Sequence, residues 1–237
     1  GMGKTSFALN MMRNAAIDAN KKIGFFSLEM ANNQLAMRLL CAEARVDSNL
    51  VRSGTLPKSQ YRNLSLAVGP LSKAEIHLDD TPALSILELR AKARRIKNDI
   101  DIDMIIVDYL QLMQGPKGVE SRQQEIATIS RSMKALAKEL DIPIVALSQL
   151  SRAVEQRTGS KRPQLSDLRE SGAIEQDADV VLFLFRPWVY SRDDEDEGKA
   201  EIIIAKQRNG PTGIIEATYI NRYTRFENLA HNPDAPF

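Results

Sequence analysis

The first residues of the chain form the second half of a phosphate-binding loop, and this feature constrains the fold more than any other. A Gly-Lys-Thr run that leads into an apolar helix supplies backbone N–H groups for phosphate oxygens, a lysine for the outer phosphates and a hydroxyl for Mg²⁺. The run therefore predicts a nucleoside triphosphate site. The predicted nucleotide-binding residues are Gly1, Met2, Gly3, Lys4, Thr5 and Ser6.

The full loop pattern requires three more residues before Gly1, and its mechanism requires a strand that leads into the loop. We therefore expect the chain to begin inside its phosphate-binding loop and to lack the first strand of the fold. With 237 residues, the chain can form one large α/β domain or at most two small ones. We expect a single domain over residues 1–237.

The composition of the chain limits which binding partners and which cellular compartment we expect. The chain has 32 Lys and Arg residues against 31 Asp and Glu residues, so any nucleic-acid contact depends on a local basic surface. The single cysteine, Cys41, lies in an apolar helical run, which is typical of a buried thiol and leaves no intrachain disulfide. The apolar runs are too short to span a bilayer. These features predict a cytoplasmic protein without a membrane partner.

Short apolar strands alternate with helix-period segments in the first two thirds of the chain. Residues 23–29, 104–107 and 143–149 have the pattern of buried strands. A capping box at Ser85 and Glu88 opens one of the helices between them. This alternation predicts an α/β fold with a mostly parallel sheet, flanked by helices and joined by right-handed crossovers.

The last third of the chain has a different pattern. Residues 150–177 are polar and poorly periodic, and a loop of that length inside a domain is usually functional or disordered. Residues 180–185 and 201–205 have the pattern of further strands. A Gly-Pro turn then leads to a strand at 214–220, which we expect to form an antiparallel edge of the sheet.

Polar side chains close three of the predicted strands, at the sheet edge where ligands bind in open parallel sheets. Asp108 has the position of the carboxylate that holds Mg²⁺ together with Thr5, although an Asp that caps a turn is the alternative. Glu29 fits a general base that polarises the attacking water, or else a plain surface residue. Gln149 has an amide that both donates and accepts, which suits the sensing of a γ-phosphate.

Lys206 and Arg208 lie two residues apart at the end of a predicted strand, so an extended backbone projects both side chains to the same side. Two such cations can neutralise charge that develops on a phosphate bound elsewhere, as an arginine finger does. An ordinary basic hairpin tip is the alternative interpretation.

Six strings in the chain resemble, in the same order, strings of the C-terminal motor domain of bacterial DnaB-type replicative helicases. That domain is a hexameric RecA-like ATPase. The first string is common to many ATPases, whereas the third, fifth and sixth are more specific. The strings are Gly3-Lys4-Thr5, Ser27-Leu28-Glu29-Met30, Ile106-Val107-Asp108-Tyr109-Leu110-Gln111-Leu112, Ser148-Gln149-Leu150-Ser151-Arg152, Ser166-Asp167-Leu168-Arg169-Glu170-Ser171-Gly172 and Lys206-Gln207-Arg208-Asn209-Gly210-Pro211.

The resemblance implies a RecA-like P-loop NTPase that hydrolyses ATP at subunit interfaces, moves along single-stranded DNA and unwinds duplex DNA during replication. It implies Mg²⁺ at Thr5 and Asp108, and catalytic roles for four further residues. Glu29 would activate water, and Gln149 would couple the γ-phosphate to DNA. Lys206 and Arg208 would act on the ATP of the neighbouring subunit.

The resemblance also implies partners. These are single-stranded DNA, the other copies in a homo-hexamer, and a primase and a helicase loader that bind through regions outside this chain. A central-channel loop would bring Arg169, Glu170 and Gly172 against DNA phosphates, with a guanidinium and exposed backbone as the anion ligands. The basic stretch at 151–166 is compatible with contact to a DNA backbone or with a merely solvated loop.

Two other classes of function remain open from the residues. A RecA-type recombinase shares the fold and forms filaments that grow with the length of DNA, whereas a ring has a fixed stoichiometry. A small-molecule kinase built on the same loop needs a lid and an acceptor pocket. Stimulation of the ATPase by single-stranded DNA, rather than by a metabolite, distinguishes that last class.

Overall fold

The computed structural model describes residues 2–115, 121–151 and 153–229, with residues 169–171 as backbone only. Gly1 of the predicted nucleotide-binding loop lies outside the described residues. Within these ranges, the strands form two four-stranded sheets, one parallel and one antiparallel, with helices packed around them. The predicted α/β fold class is therefore confirmed. No helix in these ranges is long and apolar enough to cross a bilayer.

The parallel sheet forms the first layer and has the strand order β2-β1-β3-β4. Strand β1 is buried along its whole length and β3 along all but its first residue, because helices cover both faces of the sheet. The three predicted strands are present, with the third shorter than expected, and β2 is additional. The strands are β1 (Ile23–Ser27), β2 (Ile76–Asp79), β3 (Met104–Asp108) and β4 (Ile144–Ala146).

Helices connect these strands and cover the sheet. The first helix begins at the phosphate-binding loop and ends in a π-helical turn, Asn14–Asp18. The predicted capping box is present, since the Ser85 hydroxyl accepts from the Glu88 N–H and the Glu88 carboxylate accepts from the Ser85 N–H. The helices in the described ranges are α1 (Lys4–Arg13), α2 (Asn32–Ala44), α3 (Ser48–Ser53), α4 (Tyr61–Lys73), α5 (Ile86–Ile100), α6 (Arg122–Leu140), α7 (Ala153–Gln156), α8 (Gly172–Asp177) and α9 (Trp188–Ser191).

The antiparallel sheet is larger than the sequence predicts. The strand expected as an edge lies between two others, because the chain turns once more after it and adds a short fourth strand. Thr224, in the left-handed region, makes that turn. The strands, in their spatial order, are β5 (Val180–Phe185), β6 (Lys199–Gln207), β7 (Gly213–Ile220) and β8 (Arg225–Asn228).

Helix α1 packs against both sheets. On one side, Leu9 and Met12 lie in the core with Phe25 of β1. On the other side, the Phe7 ring meets the Phe226 ring of β8 edge to face, with ring centroids 5.3 Å apart. Aromatic pairs in this geometry stabilise a contact beyond their buried area. The phosphate-binding loop is therefore held between the two sheets.

The segment predicted as one long loop, residues 150–177, contains short helices instead. Helix α7 and helix α8 have four and six residues, and a 3₁₀ segment over Leu165–Ser171 joins onto α8. Such short elements show no repeating apolar period, so the sequence pattern does not reveal them. Leu168 anchors the segment by packing in a buried cluster with Val181 and Phe183 of β5.

Candidate functional site

Gly3 gives the phosphate-binding loop its shape at the start of α1. Its φ of +92° lies in the left-handed region, which side chains with a Cβ rarely adopt. A Cβ at this position would also lie 3.3 Å from the Phe226 ring. The conformation therefore favours glycine, and an added Cβ would require the Phe226 ring to shift by a few tenths of an ångström. The first N–H groups of the helix, from Lys4 onwards, have no partner within the helix and can bind an anion.

Thr5 and Asp108 are in direct contact at that edge. The Thr5 hydroxyl donates a 2.6 Å hydrogen bond to the Asp108 carboxylate, although the two residues are 103 positions apart in the sequence. Asp108 closes β3 and is 1% exposed. Burial raises the pKa of the Asp108 carboxyl, whereas the hydrogen bond from Thr5 and the positive charge of Lys4 oppose that rise. A cation beside these oxygens would favour the ionised carboxylate.

Lys4 lies next to this pair and is partly buried. Its ammonium donates a 3.0 Å hydrogen bond to the Ser148 carbonyl oxygen and lies 5.4 Å from the centroid of the Tyr109 ring. Burial lowers the pKa of Lys4, and the charges of Asp108 and Glu29 counteract that effect. The structure thus brings one ammonium and two carboxylates together at the loop.

Glu29 follows β1 at the same edge, and its side chain is exposed. The turn that carries Glu29 is fixed on both sides of the residue. The Ser27 hydroxyl donates to the Met30 carbonyl oxygen at 2.7 Å and accepts from the Met30 N–H at 3.1 Å. The Leu28 N–H donates to the Asp108 carbonyl oxygen at 2.7 Å. An exposed carboxylate on a fixed turn can approach a bound water without being a ligand of a metal.

Gln149 follows β4, also at this edge, and its side chain is exposed. Its backbone is held by the side-chain amide of Gln111, which the sequence interpretation did not single out as a site residue. The three strand-end residues predicted to converge, Glu29, Asp108 and Gln149, thus lie at one edge with Lys4. The parallel order of β1, β3 and β4 accounts for this convergence.

An open groove runs from the phosphate-binding loop to the antiparallel sheet. Arg186 lines it and is 8% exposed, with its guanidinium 3.8 Å from the centroid of the Tyr219 ring. Burial lowers the pKa of Arg186. Arg186 closes the apolar strand β5, just as Asp108 closes β3, so the same sequence signal could have found it. The groove is also lined by Met2, Gly3, Thr5, Ser6, Glu29, Arg38, Asn49, Trp188, Gly198 and Arg222.

Lys206 and Arg208 are not among the described residues that line this groove. Gly198, just before β6, lines the groove, whereas Lys206 lies at the other end of the strand, roughly 25 Å away at about 3.3 Å per residue. The Lys206 ammonium donates to the Glu175 carbonyl oxygen at the end of α8. The Arg208 guanidinium donates to the Gln176 carbonyl oxygen at 2.8 Å. Both cations thus contact the carbonyl end of one short helix.

Of the predicted DNA-binding residues, the side chains of Arg169 and Glu170 lie outside what the structure describes. Gly172 is exposed and begins α8 with an ordinary helical φ of −53°. A Cβ on Gly172 would meet no atom of the described part of the chain within 4 Å. The conformation of this chain therefore does not itself require glycine there, and close approach to another molecule remains a prediction.

The basic residues of the 151–166 stretch that the structure describes make contacts within the chain. Arg157 forms an ion pair with the buried Asp167. The Arg162 guanidinium pairs with both oxygens of Glu201, at 2.6 and 2.7 Å. These contacts favour a structural role for the two arginines over contact with DNA.

Comparison with known proteins reveals extensive similarity. A family described as DnaB-like helicase C terminal domain matches residues 1–228 of the chain. The replicative DNA helicase DnaB of Geobacillus stearothermophilus is 51% identical over 234 residues, which are 98% of this chain and 51% of that protein. The replicative DNA helicase DnaC of Bacillus subtilis (strain 168) is 48% identical over 234 residues, again 98% of this chain and 51% of that protein. The chain spans about half the length of these curated relatives.

Two solved structures have the same fold. One is described as an ATPase domain, with a TM-score of 0.92, 38% identity and coverage of 97% of this chain and 81% of that chain. The other is described as a DnaB-like replicative helicase and its interactions with primase, with a TM-score of 0.92, 38% identity and coverage of 97% and 55%. The similarity therefore extends over both sheets and the loop at the start of α1.

Proposed function

The chain belongs to the DnaB-like helicase C-terminal domain family, and we propose that residues 1–237 form the ATP-hydrolysing motor domain of a replicative DNA helicase. In this proposal, a homo-hexameric ring in the cytoplasm hydrolyses ATP between subunits and moves along single-stranded DNA, so that duplex DNA is unwound. One observation carries the proposal. A threonine hydroxyl and a buried carboxylate, Thr5 and Asp108, lie 2.6 Å apart beside Lys4 at the start of a helix.

The chemistry of these groups fits Mg²⁺ and a triphosphate. Mg²⁺ prefers oxygen ligands and usually keeps several waters beside one or two protein groups and the substrate phosphates. Thr5 and Asp108 are oxygen donors of that kind, and the described residues contain no cluster of three or more His, Cys, Asp or Glu that could form a cage. Bound Mg²⁺ would offset negative charge on the phosphates. Lys4 and the N–H groups at the start of α1 would bind the phosphate oxygens.

Glu29 would act as the general base. An exposed carboxylate next to the loop can accept a proton from a water that attacks the terminal phosphate, while Asp108 is engaged with Thr5. Gln149 would contact the γ-phosphate or the attacking water through its free amide. Arg186, over the Tyr219 ring, would add a positive charge to the wall of the groove.

Lys206 and Arg208 would serve the ATP of the neighbouring subunit. Neither cation is among the described residues that line the groove of its own chain, and Lys206 lies roughly 25 Å along β6 from Gly198 at about 3.3 Å per residue, which supports action in trans. Hydrolysis at an interface requires assembly, since the base and the two cations then come from different chains. Arg169, Glu170 and Gly172 would face single-stranded DNA in the ring channel, and primase and a loader would bind as further partners.

A mixing experiment tests the division of each site between two chains. We expect Arg208→Ala subunits and Glu29→Gln subunits of the full-length protein to be inactive when each is assayed alone. In randomly mixed rings, an interface is complete when Glu29 and Arg208 both come from intact chains, so about a quarter of the wild-type ATPase rate returns if sites act independently. Failure of rescue in rings with proven assembly contradicts the assignment in trans.

The matched control mixes Glu29→Gln with Asp108→Asn subunits. Both defects then lie in the same chain's half of the site, so no interface is complete and no activity returns. The same preparations distinguish a ring from a recombinase filament by light scattering. A ring keeps one mass on single-stranded DNA of increasing length, whereas a filament grows.

A further inference from the structure

Gln111 lies in the most distinctive string of the chain, yet the proposed reaction assigns it no role. Its side-chain amide contacts the residue that follows the sheet edge. The amide nitrogen donates to the Gln149 carbonyl oxygen at 3.2 Å, and the amide oxygen accepts from the Gln149 N–H at 3.2 Å. The same nitrogen donates to the Ser148 hydroxyl at 2.8 Å. One side chain thus pairs with both backbone groups of Gln149.

These side-chain contacts take the place of the backbone hydrogen bonds of the parallel sheet, which end before Gln149. Strand β4 stops at Ala146, and the last backbone bonds from this segment to its neighbours are the Leu147 N–H to the Val107 carbonyl and the Leu110 N–H to the Leu147 carbonyl, both 2.9 Å. Beyond that point, Gln111 supplies the donor and the acceptor that a neighbouring strand would supply. Without Gln111, the Gln149 N–H would have no hydrogen-bond partner among the described residues.

Gln111 is itself held from the other side. The backbone carbonyl oxygen of Gln111 accepts a 2.5 Å hydrogen bond from the guanidinium of Arg122, at the start of α6. The Arg122 guanidinium also pairs with Glu125, whose carboxylate accepts the Gly115 N–H at 2.6 Å. The backbone of Gln111 is therefore fixed, and its amide has a defined direction. Since Lys4 donates to the Ser148 carbonyl, the held segment touches the phosphate-binding lysine as well.

We propose that Gln111 is the positioning residue that holds Gln149 at the terminal phosphate, and that it acts on hydrolysis through Gln149. This inference rests on the proposed role of Gln149. When its backbone is fixed, the Gln149 amide samples fewer conformations and is more often positioned to reach the phosphate. The rate of hydrolysis should therefore depend strongly on Gln111, whereas ATP affinity should depend on it little. The effect is largest when DNA is bound, because Gln149 is the residue that couples DNA to the γ-phosphate.

The test compares Gln111→Met, which keeps the side-chain length but lacks the amide, with Gln114→Met as the matched control. Gln114 lies three residues later, and its side chain is exposed and makes no hydrogen bond to the residues described by the structure. In the full-length protein, we expect Gln111→Met to lower the DNA-stimulated kcat about tenfold while the KM for ATP changes by less than about twofold. Gln114→Met leaves both values unchanged.

Three results would overturn the inference. The first is wild-type DNA stimulation in Gln111→Met. The second is a fall of the basal and the DNA-stimulated rates by the same factor, together with a lower melting temperature. That result indicates a purely structural role. The third is an effect that adds fully to that of Gln149→Met in the double variant, because a residue that acts through Gln149 has nothing left to position there.

The Gln149→Met variant alone separates this inference from the proposed function. If Gln149→Met keeps full DNA stimulation, the proposed role of Gln149 is wrong, and the inference is wrong with it. If Gln149→Met loses stimulation and Gln111→Met keeps it, only the positioning role of Gln111 is wrong. Gln111→Glu adds a graded outcome, since it keeps an acceptor for the Gln149 N–H but loses the donors, and we expect an intermediate rate.

Discussion

The side-chain amide of Asn10 pairs with the backbone of Phe226 in both directions. The Phe226 N–H donates to the Asn10 amide oxygen at 3.0 Å, and the Asn10 amide nitrogen donates to the Phe226 carbonyl oxygen at 3.4 Å. Asn10 lies on α1, and Phe226 lies on β8 at the edge of the antiparallel sheet. The pair therefore joins the helix of the phosphate-binding loop to the second sheet, across 216 positions of sequence.

Replacement of Asn10 by alanine should destabilise the fold, because two partly buried backbone groups lose their partners. We expect the free energy of unfolding to fall by about 1–3 kcal/mol. Urea unfolding measures the change, and Asn63→Ala on the exposed surface of α4 is the control. Equal stability of the two variants would show that the pair contributes nothing. Asn10→Asp, which keeps the acceptor, should lie between them.

A Gly3→Ala variant should lose both stability and nucleotide binding. Alanine at a φ of +92° is strained, and its Cβ would lie 3.3 Å from the Phe226 ring. We expect a loss of about 1–3 kcal/mol in the free energy of unfolding and weaker ATP binding in a titration. Gly213→Ala is the control, since a Cβ there would lie within 4 Å of no atom in residues 2–115, 121–151 and 153–229. A Gly3→Ala protein that binds ATP normally would contradict the account of the loop.

The Thr5 hydroxyl can be tested apart from the shape of the side chain. Thr5→Val keeps the volume and removes the hydrogen bond to Asp108, whereas Thr5→Ser keeps the hydroxyl. We expect Thr5→Val to reduce the ATPase rate by about a hundredfold or more at fixed Mg²⁺, as for removal of one group that stabilises transition-state charge. Thr5→Ser should stay within about tenfold of wild type. A similar rate for both variants would rule out a role for the hydroxyl.

Stability should depend on pH through Glu43, which pairs with Arg13 between α1 and α2. The Arg13 guanidinium donates to both Glu43 oxygens, at 2.7 and 3.0 Å, and the side chains of Arg13 and Glu43 are 16% and 13% exposed. The hydrogen bond from Arg13 holds the pKa of Glu43 below its ordinary value of 4.5. The unfolded state therefore binds the proton more readily than the folded state does.

The sign of the effect follows from that difference. The stabilisation is fully present above the unfolded pKa and is lost as the pH falls through the lower, folded pKa. Glu43→Gln should cost about 2 kcal/mol near neutral pH, and the difference from wild type should shrink below about pH 4. Urea unfolding over this range measures it, with the exposed Glu216→Gln on β7 as the control. A difference that stays constant with pH would exclude the pair as its source.

The parallel half of the fold could be predicted because its strands are covered on both faces and appear as continuous apolar runs. The burial of Cys41 was also expected and is confirmed. Strand β8, with four residues, and helices α7 and α8 were not expected, since such short elements have no period of their own. Phe226 of β8 packs in a buried cluster with Ala200 of β6 and Tyr219 of β7. Leu168, in the 3₁₀ segment before α8, packs against Val181 and Phe183 of β5.

The candidate site was predictable where a polar residue closes an apolar strand, as at Glu29, Asp108 and Gln149. The direction in which a side chain points could not be predicted from the sequence. Lys206 and Arg208 were expected at a strand end, but their contacts with the carbonyl end of α8 depend on how two separate segments pack. Gln111 was missed for the same reason, because its partners lie 37 and 38 positions away.

The length of strand β6 has a genetic consequence in the proposed ring. In that ring, each copy would donate Lys206 and Arg208 to one neighbour and would receive the same two cations from another. A substitution at Arg208 in one subunit would then impair the ATP site of the adjacent, unaltered subunit. In a cell that makes both normal and altered protein, a substitution at Arg208 would therefore inactivate ATP sites on chains that are themselves intact.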